Sequence, residues 1–195
     1  MIRKIGVLTF HASHNYGSML QAYALQTYIR SLGVDVEEIN LRIDAQKKLY
    51  ANPLRFWGPK SVLARLRHPK KEIGRIIKWY KFELFLKNHI RHTRKEFHSW
   101  REIVDSLPHL GYDAILCGGD QIWNVQCIDF NESYYLPSEL DGIKKLSYSP
   151  SMGGDMSKFQ DNSTKDFIRN NLQDFDVLSV RDLAGQLYLE GLLNR

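Results

Sequence analysis

The first forty residues constrain the fold most, because a strand candidate, a polar loop, an apolar-periodic helix and a second strand follow one another without a gap. Ile5 to Phe10 is the first β segment, and His11 to Tyr16 with Gly17 forms the loop. Met19, Leu20, Tyr23, Ala24 and Leu32 then recur at helical spacing until Gly33 closes the helix. Val34 to Leu41 is the second strand, completing a βαβ unit of the kind whose crossover is nearly always right-handed. Further strands are expected at 112–117, 145–149 and 175–180, with helices over Thr164–Leu172 and Asp182–Leu193. Strands alternating with helices predict an α/β fold: one Rossmann-like domain over residues 1–195, its mostly parallel sheet flanked by helices.

A helical, basic insertion over about 45–110 interrupts that rhythm. From Arg55 to Arg101 there are fourteen Lys/Arg against three Glu (Glu72, Glu83 and Glu96), about half the positive charge of a chain that carries +5 overall. Ile73, Ile76, Ile77, Tyr80, Leu84 and Ile90 predict an amphipathic helix with these residues inward and its Lys and Arg outward. Ser99 and Glu102 predict a capping box for a short helix ending near Leu107. Trp57, Trp79, Tyr80 and Trp100 interleave with cations as on some stacking surfaces. Solvated cations over inward aromatics is the commoner arrangement, so no nucleic-acid partner is expected. Attraction to anionic headgroups fits the charge better.

Cys117 and Cys127 have no metal-type spacing, so no disulfide and a reduced cytoplasmic compartment are expected. No apolar run approaches the ~18 residues of a membrane span. His11 and His14 lie three apart, but no Cys, Asp or Glu completes a metal set in their loop. That loop also lacks G-x-G-x-x-G and the phosphate-loop lysine, which argues against the familiar dinucleotide and ATP sites.

The run Cys117-Gly118-Gly119-Asp120-Gln121-Ile122-Trp123-Asn124 follows the apolar segment 112–117, and ligands collect beyond the carboxyl ends of such strands. It reads either as a site or as a turn with a helix cap. The loop with Asn15 and Gly17 is a second ligand candidate, since it leads into a helix N-terminus. Ser147 to Gly154 is a glycine turn or a binding loop. Arg181 either binds a phosphate or carboxylate, or pairs with Asp182 or another acid.

Taken together, Phe10-His11, His14-Asn15-Tyr16-Gly17, Gln21 to Gln26, Gly118 to Asn124, Ser147 to Gly153 and Ser179-Val180-Arg181 resemble the polysaccharide pyruvyl transferase family in order and spacing, from Lys4 to Gly185. Gly119, where the family often has Ser, and Val125, where it often has Pro, depart from the pattern. The resemblance implies the N-terminal half of a GT-B-like transferase, with the C-terminal donor-binding half having no counterpart in these 195 residues. It also implies transfer of pyruvate from phosphoenolpyruvate, a donor substrate rather than a cofactor, to sugar hydroxyls in cell-surface polysaccharide biosynthesis. By carry-over, Asp120 is the catalytic carboxylate, Asn15, Gly17, Gln121 and Asn124 bind the sugar, and Arg181 steadies the donor. No metal is implied. The expected partners are a sugar or polysaccharide precursor, lipid-linked at the inner face of the membrane, and a complementary C-terminal half or a second copy. The competing reading is a non-catalytic glycan- or partner-binding module, or one subunit of a split transferase.

Overall fold

The computed structural model describes residues 2–55, 69–137 and 140–194. Its sheet has four parallel strands in the order β2-β1-β3-β4: β1 Lys4–Leu8, β2 Asp35–Glu38, β3 Ala114–Gly118 and β4 Lys144–Tyr148. Alternation along β1 sends Ile5 and Val7 to one face, where they meet Leu25 and Ile29 of α1 (Tyr16–Ser31). Leu8 goes to the other face, with Ile115 and Cys117 of β3 and the main core. That second face is covered by α4 (Trp100–Leu110), α5 (Asn162–Leu172) and α6 (Leu183–Leu193). β3 is buried along its whole length, as a central parallel strand covered on both faces must be.

Between β2 and β3 the described residues form α2 (Asp44–Leu49), α3 (Pro69–His89) and α4. The expected face of α3 is corrected. Ile73, Ile77, Tyr80 and Leu84 are exposed, while Phe82 and Leu86 are buried against Met19 and Ala22 of α1. A helix with apolar residues on two opposite faces has no unique inner side by periodicity; the surface offered by α1 decides it. Trp79 reaches inward and donates to Tyr50 O at 3.1 Å. Trp57 lies outside the described residues. The capping box forms in part: Ser99 accepts from Glu102 N at 3.3 Å, while Glu102 reaches back to His98 N at 2.9 Å. The helix runs past Pro108 to Gly111, whose φ of 64° stops it.

The wholly helical reading of 45–110 is also corrected, because residues 91–97 run alongside β2. Parallel bridges join Glu38 to His92 and Leu41 to Phe97. At the opposite edge the strand expected at 175–180 is reduced to one bridge between Leu146 and Val177. Beyond it, side chains take the place of the ladder. The Ser147 hydroxyl accepts from Ser179 N at 2.7 Å and donates to Ser179 O at 2.9 Å, and Ser179 Oγ donates to Ser147 O at 2.9 Å.

Candidate active site at the switch point of the sheet

The chain leaves β1 for β2 on one side and later returns to place β3 on the other, so the sheet reverses direction between β1 and β3. The loops leaving two such strands diverge and open a crevice at their carboxyl ends. Both loops singled out in the sequence lie there. The end of β1 and the start of the β3 loop meet through α1: Gln21 accepts from Thr9 Oγ1 at 3.2 Å and lies so near Gly119 that a Cβ there would fall 1.5 Å from Gln21 Nε2. Gly119 also has φ +86°, a second reason why a residue with a Cβ would be strained at this position.

Asn15 is the N-cap of α1, and its Oδ1 accepts from Gly17 N at 2.8 Å and Ser18 N at 3.4 Å. These first-turn donors are therefore engaged by the chain itself. What α1 presents to the crevice is the exposed Asn15 side chain and the bare Gly17, not a row of free N–H groups.

The β3 loop is anchored by its apolar residues and presents its polar ones. Trp123 is fully buried, stacks on Tyr135 at 5.3 Å and donates to Tyr134 O at 2.8 Å. Held by that anchor, Gln121 is exposed and Asp120 and Asn124 are half-buried. Asp120 Oδ1 accepts from Gln121 N at 2.7 Å, and Asn124 Nδ2 donates to Gln121 Oε1 at 3.2 Å. Gly153 of the β4 loop, with φ +83°, makes room for Asn124; a Cβ there would lie 2.6 Å from Nδ2.

Arg181 and Asp120 hang from consecutive residues of that β4 loop. Arg181 N donates to Pro150 O at 3.0 Å, and Ser151 N donates to Asp120 O at 2.8 Å. The alternative in which Arg181 pairs with its neighbour is not what the structure shows, since Asp182 is the N-cap of α6 and accepts from Gly185 N at 2.8 Å. The Arg181 side chain is exposed and has no ion-pair partner among the described residues. The Asp120 carboxylate and the Gln121 and Asn124 amides thus share one loop, and the main chain of Arg181 is tied beside it through the β4 loop.

Against individual curated proteins the chain gives no match. The family model described as polysaccharide pyruvyl transferase does match, over residues 15–193, which takes in every one of these site residues. The chain belongs to the polysaccharide pyruvyl transferase family.

The structure brings further groups to the rim of this crevice that no local motif announces. Tyr50, at the end of α2, donates its phenol to Asp129 Oδ2 at 3.4 Å. Asp129 is buried, and burial, reinforced by the charge of Asp120, raises its carboxyl above the usual range. Cys127 approaches Gln121 Oε1 at 3.9 Å, and burial with the charges of Asp129 and Asp120 pushes its thiol up. Tyr50 also lines a cavity of about 430 Å³ with Trp79 and Arg55, where Arg42 pairs with Glu83 and Lys47 with Glu96, so cavity and rim meet at this residue. Tyr50 and Asp129 are 79 positions apart, and no spacing rule could have paired them.

The two loop histidines take separate partners. His14 Nε2 lies 2.8 Å from Glu83 Oε1 and its ring stacks on Phe82, whereas His11 is buried with Nε2 3.1 Å from Asn40 Oδ1. Burial pushes the His11 imidazole down to about 4, against the Asn40 bond that favours the proton. Between pH 6.5 and about 4 the unfolded chain therefore holds a proton that the folded chain lacks. This stabilisation is complete above pH 6.5 and is lost as the pH falls through the window, ~3 kcal/mol in all. In urea titrations at pH 7 and 4.5, His11→Gln should lose ~2–3 kcal/mol less than the wild type on acidification. Equal losses would remove His11 as the cause.

Proposed function

We propose that this chain forms the acceptor side of an enzyme that transfers pyruvate from phosphoenolpyruvate to two hydroxyls of a sugar during cell-surface polysaccharide synthesis. The observation carrying this reading is the attachment of Asp120 and Arg181 to adjacent residues of one loop, at the sheet's switch point. In the reaction, a proton added to the methylene carbon of phosphoenolpyruvate leaves an oxocarbenium-like centre. One sugar hydroxyl attacks it, phosphate departs, and a second hydroxyl closes the ketal, each hydroxyl giving up its proton to a base. Asp120 positions the attacking hydroxyl and takes its proton. Asn15, Gln121 and Asn124 hold the neighbouring hydroxyls, and Gly17 admits the sugar close to the start of α1. Arg181 steadies the donor's phosphate or carboxylate through charge-assisted hydrogen bonds. The remaining donor contacts come from the wall that faces this rim, whichever polypeptide supplies it. The acceptor is a lipid-linked precursor met at the cytoplasmic face of the membrane.

The test is release of phosphate from phosphoenolpyruvate that depends on an added oligosaccharide acceptor, with the ketal identified by mass spectrometry. Arg181→Ala should raise KM for phosphoenolpyruvate by ~10-fold or more, and Arg181→Lys should recover part of it. Acceptor binding without any phosphate release would reassign the rim to a glycan-binding module.

A further inference from the structure

The outward face of α3 is a feature that the transfer reading leaves unused. Ile73, Ile77, Tyr80 and Leu84 stand at i, i+4, i+7 and i+11, a single stripe along the helix, with exposures of 56, 49, 62 and 43%. It is not a core face turned out by a shift of register, because Phe82 and Leu86 on the opposite side are fully packed on α1. A separate groove of about 210 Å³ lies between α3 and α1, lined by Tyr16, Leu20, Lys81 and Phe85.

The charges bordering the stripe are all positive. Lys70, Lys81 and Lys87 are exposed on its flanks. The two acids of α3 are engaged away from it: Glu72 bonds Arg75 at 3.1 Å, and Glu83 turns inward to His14 at 2.8 Å and Arg42 at 3.6 Å. An apolar stripe edged by lysines matches a surface of hydrocarbon beneath anionic headgroups. A second copy of the same face fits poorly, since pairing would set lysines against lysines. None of the described helices is long and apolar enough to cross a bilayer.

The geometry points to α3 as an interfacial helix that lays Ile73, Ile77, Tyr80 and Leu84 into the headgroup region of an anionic membrane while its lysines contact the phosphates. Its other side lines the Tyr50 cavity through Trp79 and Glu83, so the bilayer surface would lie about one helix diameter, ~10 Å, from that cavity. The attachment itself does not depend on the transfer reading. The experiment is co-sedimentation of the chain with vesicles of phosphatidylcholine alone or containing phosphatidylglycerol, across a salt series. Binding should require phosphatidylglycerol and weaken by ~10-fold or more as salt screens the lysines. Ile77→Gln with Leu84→Gln should lower the partition coefficient by a further ~10-fold at low salt, with an unchanged melting curve because both positions are exposed. Three results would overturn the proposal: no binding to phosphatidylglycerol vesicles at low salt; binding untouched by the double substitution; or a dimer by sedimentation velocity that the double substitution dissociates, which would give the face to a second copy.

Discussion

Asp120→Ala is expected to lower acceptor-dependent phosphate release by at least ~100-fold, the ordinary contribution of a positioned general base, while shifting the unfolding free energy by less than about 1 kcal/mol. The two effects separate because the residue's structural and chemical duties lie on different atoms. Its backbone carbonyl receives Ser151 N and survives the substitution, whereas its carboxylate makes a single local bond, 2.7 Å to Gln121 N. Asp120→Asn sharpens the result. The amide oxygen still accepts from Gln121 N, so a residue that only shapes the loop would tolerate the change, but a residue that takes a proton would fail as badly as with alanine. Loss of the Asp120 charge also removes one of the causes that hold the Asp129 carboxyl up, so Asp129 should titrate at lower pH in both variants. Turnover retained in both variants would overturn the assignment.

What could be read from the sequence follows how local its causes are. β1, α1 and the Gly33 stop rest on neighbours a few residues apart, and the structure returns them within two or three positions. The polar triplet Asp120, Gln121 and Asn124 is equally local, because Ile122 and Trp123 between them are the anchor that turns them outward. The inner face of α3 depends instead on a surface some sixty residues away in the chain, where Met19 and Ala22 receive Phe82 and Leu86. Arg181 is a similar case. Its freedom follows from Asp182 capping α6 through Oδ1 with Oδ2 buried, and a sequence shows an adjacent opposite charge without showing that it is turned inward. The last strand failed for a subtler reason: serines at 147 and 179 bond through side chains where backbone groups were expected to pair. Tyr50 and Asp129 meet only because α2 and the β3 loop arrive at the same rim, which is a property of the strand order.

Among the described glycines, Gly118→Ala should be the most damaging single methyl for stability. Gly118 closes β3 in register with Tyr148 of β4, and a Cβ built on it would stand 2.0 Å from Tyr148 O and 2.8 Å from Tyr148 C. Those atoms are main chain, so no rotamer change relieves the overlap; the two strands must part at the end that carries the candidate site. Parting them strains Ser149, already at φ 49°, and disturbs the Ser151 bond to Asp120. Overpacking against a rigid neighbour costs on the order of 3 kcal/mol or more, which for a chain of this size lowers the melting temperature by roughly 10 °C. Gly154→Ala is the matching control, because a Cβ there meets nothing within 4 Å on the same loop. It should leave the melting curve within about 0.5 kcal/mol of wild type. Calorimetry or urea titration of the two variants side by side decides the matter, and a Gly118→Ala protein as stable as the Gly154→Ala protein would show that β3 and β4 do not approach so closely.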